Sequence, residues 1–121
     1  MNIETNKIMD LRFLSKFTGG DKVKMERYIN MFIRFIPAHL EKMEKCVHEK
    51  NWEGCFICAN LMKAQMVYMG IRSQENLEMI VENLKFKKPS SSKLKEFLNG
   101  LRINLNLAME ELKEEGNALS T

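Results

Sequence analysis

Apolar positions recur along this chain with the rhythm of helices, and no stretch alternates as a strand would. Ile8, Leu11, Leu14 and Phe17 are spaced every three residues, with Phe13 beside them, and predict a first helix over Thr5 to Phe17. Gly19-Gly20 stops it. Asp21 offers an N-cap to a long second helix whose apolar positions are Val23, Met25, Tyr28, Ile29, Phe32, Ile33, Ile36, Leu40, Met43 and Val47. That rhythm lasts to about Lys50. Pro37 falls inside it and has no N–H to donate, so a kink near Ile33 or Ile36, or a break into two helices, is expected.

Asn51 is placed to cap a third helix that Trp52 opens and Gly70 closes, with Trp52, Cys55, Ala59, Met62, Met66 and Met69 at the spacing of a buried stripe. Ser73 is expected to cap a fourth helix carrying Leu77, Ile80, Val81 and Leu84. Lys87 to Ser92 reads as a loop whose serines can cap the last helix. That helix holds Leu94, Phe97, Leu98, Leu101, Leu105, Ala108 and Leu112, and is expected to fray near Gly116. Five helices with short connections predict an all-α fold: an antiparallel four-helix bundle of long helices, with an additional short N-terminal helix at one end. No internal repeat or linker divides the chain, so residues 1–121 are read as one domain.

Composition agrees. At 121 residues the chain can bury one real core, and 45% hydrophobic with 29% charged residues is a globular balance. Two prolines and six glycines leave long uninterrupted segments, and ten methionines suit helices and adaptable cores. A net charge of +3 is too small to argue for nucleic acid, and the basic run Lys85, Lys87, Lys88 beside Pro89 and three serines reads as a solvated loop. No apolar stretch approaches the roughly 20 residues of a membrane span. The first residues are polar and include an acid, unlike a secretory signal. A cytoplasmic protein, with no nucleic-acid partner and no membrane insertion, is expected.

Cysteines at 46, 55 and 58 are odd in number, which disfavours a disulfide framework. Cys55-x-x-Cys58 with Cys46 and His48 nearby has the ligand types of a three-Cys, one-His zinc site. Zinc-binding pairs of this spacing sit on a knuckle-like turn, however, whereas Cys55 and Cys58 fall on the apolar side of a helix. They are read as small buried hydrophobes, and no metal or cofactor is expected.

One stretch carries more than fold. Ala59-Asn60-Leu61-Met62-Lys63-Ala64, closed by Gly70, resembles the signature helix of histidine-containing phosphotransfer (HPt) domains, which reads Ala-His-x-Leu-Lys-Gly with a later helix-ending Gly. Ala59, Lys63 and Gly70 match, while Met62 and Ala64 are close substitutes. Asn60 stands where the family has its phosphoaccepting His. The resemblance extends to Gly19-Gly20-Asp21 before the second helix, Ile36-Pro37 within it, Asn51-Trp52-Glu53 at the start of the third, and Tyr68-Met69-Gly70-Ile71 at its end. It therefore spans nearly the whole chain.

The substitution matters chemically. An imidazole attacks phosphorus through a ring nitrogen with a free lone pair, but an amide nitrogen has its lone pair delocalised into the carbonyl and only donates hydrogen bonds. Taking Trp52 as the zero of a helical wheel, Cys55, Ala59, Met62 and Met66 lie within roughly 80° of it on the core side. On the same wheel Lys63, Phe56, Val67, Asn60 and Ala64 fall at roughly 20°, 40°, 60°, 80° and 120°. Asn60 thus occupies a flank pointing away from the core. By the resemblance, Lys63 would neutralise phosphoryl oxygens, Ala64 would let a partner approach, and Phe56 and Val67 would add an apolar patch if exposed. Phe56 and Val67 packing under a neighbouring helix is an equal alternative.

The resemblance implies a non-enzymatic pseudo-HPt module in a two-component phosphorelay. It would bind response-regulator receiver domains or a hybrid sensor kinase without accepting phosphate, as competitor or scaffold. Two alternatives stay open: an active phosphotransfer protein, with His39 or His48 as acceptor or with Asn60 in place of an original His, and a helical interaction module unrelated to phosphorelay. His39 is followed at +3 and +4 by Lys42 and Met43, and His48 by Asn51 and Trp52, so neither has both the Lys and the small residue of the motif.

Overall fold

The computed structural model describes residues 9–71, 74–85 and 89–120. Among them are five helices and no strand: α1 (Arg12–Phe17), α2 (Lys22–His48), α3 (Trp52–Tyr68), α4 (Glu75–Leu84) and α5 (Ser91–Ser120). The fold is all-α. α2 packs against α3 and α5, and α4 packs against the same two helices, so each of these four has two neighbours. The core they enclose contains Ile29, Phe32, Ile36 and Met43 of α2, Cys55, Ala59, Met62 and Met66 of α3, Leu77 and Ile80 of α4, and Leu94, Leu101, Leu105 and Leu112 of α5.

Local chemistry sets most of the boundaries. Asp21 caps α2 by accepting from the Val23 and Lys24 backbone N–H groups, at 3.0 and 3.2 Å. Asn51 caps α3 by accepting from Gly54 N–H at 3.0 Å. Three helices end in the same double-bonded turn. At the end of α3, Gly70 N–H donates to Val67 O and Ile71 N–H to Met66 O, with Gly70 at φ +60°. α1 ends likewise at Gly19, and α2 at Lys50, a non-glycine residue held at φ +58°.

Several expectations need correction. Residues 5–8 of the expected first helix lie outside the described residues, but Met9 and Asp10 are not helical and α1 begins only at Arg12. The Asp10 carboxylate accepts from Arg12 N–H at 3.0 Å, and the Asp10 backbone is pressed against Gly70, which holds this segment against the end of α3. Phe17 and Val23, counted with the apolar rhythm, are largely exposed. α2 is not broken at Pro37; it runs 27 residues through it. Pro37 faces solvent while Phe32, Ile36 and Leu40 anchor both sides of it in the core.

Ser73, the expected cap of α4, lies outside the described residues. The capping position is Gln74, whose side chain instead donates to Ile71 O at 3.0 Å. Ser91 and Ser92 belong to α5 rather than to the preceding loop, and Ser90 Oγ accepts from Lys93 N–H at 3.3 Å. α5 does not fray at Gly116. That glycine is buried against Ile29 of α2, and Leu112 and Leu119 on either side pack on the core.

Candidate docking face on α3

α3 carries apolar side chains on both its inner and its outer side. Its inward row is Cys55, Cys58, Ala59, Met62 and Met66, all essentially inaccessible. Its outward row holds Phe56 (38% exposed), Ile57 (51%), Leu61 (48%) and Val67 (47%), with Asn60, Lys63 and Ala64 interleaved and also exposed. On the wheel, Asn60 stands about 140° from the middle of the inward row, closer to its antipode than to its edge. The five residues singled out in the sequence therefore share one accessible face. The alternative in which Phe56 and Val67 pack beneath a neighbouring helix is not what the structure shows.

The Asn60 carboxamide makes no hydrogen bond, and Lys63 no ion pair, among the described residues. Both polar groups are exposed on α3. Ala64, one turn beyond Asn60, presents only a methyl group beside them.

The apolar face is wider than the sequence indicated. Tyr68, in the last turn of α3, packs on Phe13 and Phe17 of α1 with ring centroids 5.7 and 5.3 Å apart, and Phe17 also meets Tyr28 of α2 at 5.6 Å edge-on. This aromatic cluster continues the outward row of α3 across α1. Ile57, Leu61 and Tyr68 belong to it as much as Phe56 and Val67. The signal that could have found them was in plain sight: apolar residues at 57, 61 and 68 lie opposite the stripe at 55, 59, 62 and 66.

Both histidines lie on α2. His48 is exposed in the last turn. His39 is half-buried, stacked on Phe35 at 3.6 Å between centroids, with Nδ1 3.2 Å from Phe35 O. All three cysteines are free thiols in the interior. Burial first, and then the neighbouring Cys46 and Cys58, push the Cys55 thiol up to about 12, so it stays protonated at neutral pH. Among the described residues, no group of three or more His, Cys, Asp or Glu side chains could hold a metal ion, and no helix is long and apolar enough to cross a membrane.

Two open grooves, of about 230 and 290 Å³, run along the α2–α5 seam on either side of the Glu44–Arg102 ion pair. Neither is lined by a residue of α3. The chemistry of the candidate face is accordingly that of a surface: an amide, an ammonium and a broad apolar row. No protein-family model matches this chain, and neither a curated protein nor a solved structure matches it.

Proposed function

We propose that this protein is a pseudo-phosphotransfer module, an antiparallel four-helix bundle of the HPt kind that docks receiver domains or a sensor kinase in the cytoplasm without carrying phosphate. The observation that carries this reading is the position of Asn60. It lies outward on α3, one turn before Ala64, with Lys63 beside it and apolar side chains along the same row. An amide there can hydrogen-bond to a partner's carboxylate, and Lys63 can offset negative charge on it, but no phosphoryl group can be taken up. The ring of contacts among α2, α3, α4 and α5 fits the bundle, and the aromatic cluster on α1 fits a face used for association.

The test is a titration against a panel of receiver domains, with and without their phosphoryl group. One or more receivers should bind, and Lys63→Glu should weaken that binding about tenfold, roughly 1.4 kcal/mol. Wild-type protein should remain unlabelled by a phosphorylated receiver, whereas Asn60→His should gain acid-labile phosphate because the surrounding residues are kept. Phosphate on the wild-type chain would overturn the pseudo-domain reading. Failure to bind any receiver would leave a helical interaction module outside phosphorelay.

A further inference from the structure

The three cysteines of this chain meet where the end of α2 packs on the start of α3. Cys46 is in the last turn of α2, and Cys55 and Cys58 are in the first two turns of α3. Gly54 leaves a notch in α3, and the Cys46 sulfur fills it: a Cβ built on Gly54 would stand 2.9 Å from Cys46 Sγ. Cys58 follows Gly54 by four residues and so shares its helix face. Helical side chains lean toward the N-terminus, so a side chain at 58 is aimed along the face that Gly54 opens. Cys46 thus meets α3 on the face that carries Cys58. Cys55 is offset by about 100° from Gly54 around α3.

Cys46 lies near both thiols of α3: after burial, it is the next influence raising Cys55 as well as Cys58. The Cys58 thiol is pushed up by burial and then by Cys46, and is drawn back by Lys42, which lies one turn before Cys46 on α2. Cys46 is more accessible than Cys58, at 7% against 1%.

We propose that Cys46 and Cys58 form a reversible intramolecular disulfide, a redox modification site that clips the last turn of α2 to α3 when a hydroperoxide is present. Cys46, as its thiolate, attacks one peroxide oxygen. The O–O bond breaks, hydroxide or alkoxide leaves and takes up the proton that the Cys46 thiol released, giving water or an alcohol, and Cys46 becomes a sulfenic acid. Cys58 then attacks that sulfur. The S–S bond forms, the S–O bond breaks, and the departing hydroxide leaves as water with the Cys58 proton. The two thiols have together given two electrons to the peroxide, and a dithiol reductant restores them by exchange. This site is independent of the docking reading, since it involves neither Asn60 nor Lys63.

The experiment exposes the full chain to hydrogen peroxide under native conditions, alkylates the remaining thiols and maps the peptides by mass spectrometry. The expected product is a monomer with Cys46 joined to Cys58 and only Cys55 alkylated, converted back to the free thiols by dithiothreitol. Cys55→Ser should retain the bridge and Cys46→Ser should lose it, with circular dichroism confirming that each variant is helical. Mapping of the wild-type chain decides the matter even if a variant misfolds. Three alkylated cysteines after peroxide, a bridge that includes Cys55, or exclusively intermolecular dimers would each overturn the proposal.

Discussion

Replacing Gly70 by alanine separates backbone strain from steric contact, because the molecule supplies its own control. Gly20 and Gly70 both have positive φ, +77° and +60°. A Cβ on Gly20 would meet nothing within 4 Å, whereas one on Gly70 would run into the carbonyl of Asp10. The left-handed conformation costs an L-residue about 1–2 kcal/mol. Alanine recovers about 0.4–1 kcal/mol of that by restricting the unfolded chain. Gly20→Ala should therefore destabilise by about 0.5–1 kcal/mol.

Gly70→Ala carries the same strain and also forces Asp10 outward. Met9 is only 4% exposed beside it, and returning a buried methionine to water costs about 1.5–3 kcal/mol. The Gly70 variant should thus lose about 2 kcal/mol more than the Gly20 variant, a further drop of about 1 M in the urea midpoint followed by far-UV circular dichroism. Hydrogen exchange should place the extra opening at residues 9–14. Equal midpoints for the two variants would refute the claim that the Asp10–Gly70 contact holds the N-terminal segment in place.

Three further outcomes follow from the same physics. Lys50 is held at φ +58°, so Lys50→Gly should stabilise the fold by about 0.5–1 kcal/mol, the strain relieved less the added freedom of the unfolded chain, and thermal melting reads this directly. Asp21→Ala removes the acceptor for two backbone N–H groups and should cost about 1 kcal/mol by chemical denaturation, with Asp21→Ser recovering most of it. The Cys55 thiol is raised by burial from 9.0 to about 12, so the unfolded chain releases its proton first. Stability should be intact below pH 9 and decline between about pH 9 and 12, and Cys55→Ala should flatten that alkaline limb of the stability curve.

What the sequence made legible was mostly local. Asp21, Asn51, Gly19 and Gly70 mark helix ends because a cap needs only the backbone groups of the adjoining turn, and all four stand where expected. Boundaries set by distant contacts were not legible. Gly116 reads as a helix end until Ile29 of α2 is seen packed against it. The late start of α1 depends on Asp10 meeting Gly70, sixty residues on. Pro37 suggests a kink or a break, and the break is absent because the core on both sides of it holds α2 in one piece. At the candidate site, counting around α3 from its buried stripe gave the outward position of Asn60. The breadth of the face was missed because periodicity cannot distinguish two sides that are both apolar.

That two-sidedness leaves the azimuth of α3 only partly written by polarity. Turning the helix half a revolution would exchange one greasy row for another, and what resists it on the polar side is the loss of water by Glu53, Asn60 and Lys63. What separates the rows is girth: the inner one includes the slender Cys55, Cys58 and Ala59, the outer one the bulky Phe56, Leu61 and Tyr68. The direction in which Asn60 points is consequently guarded by Ala59, next to it in the chain but facing the interior. Thickening that inner residue would re-aim the amide without touching it.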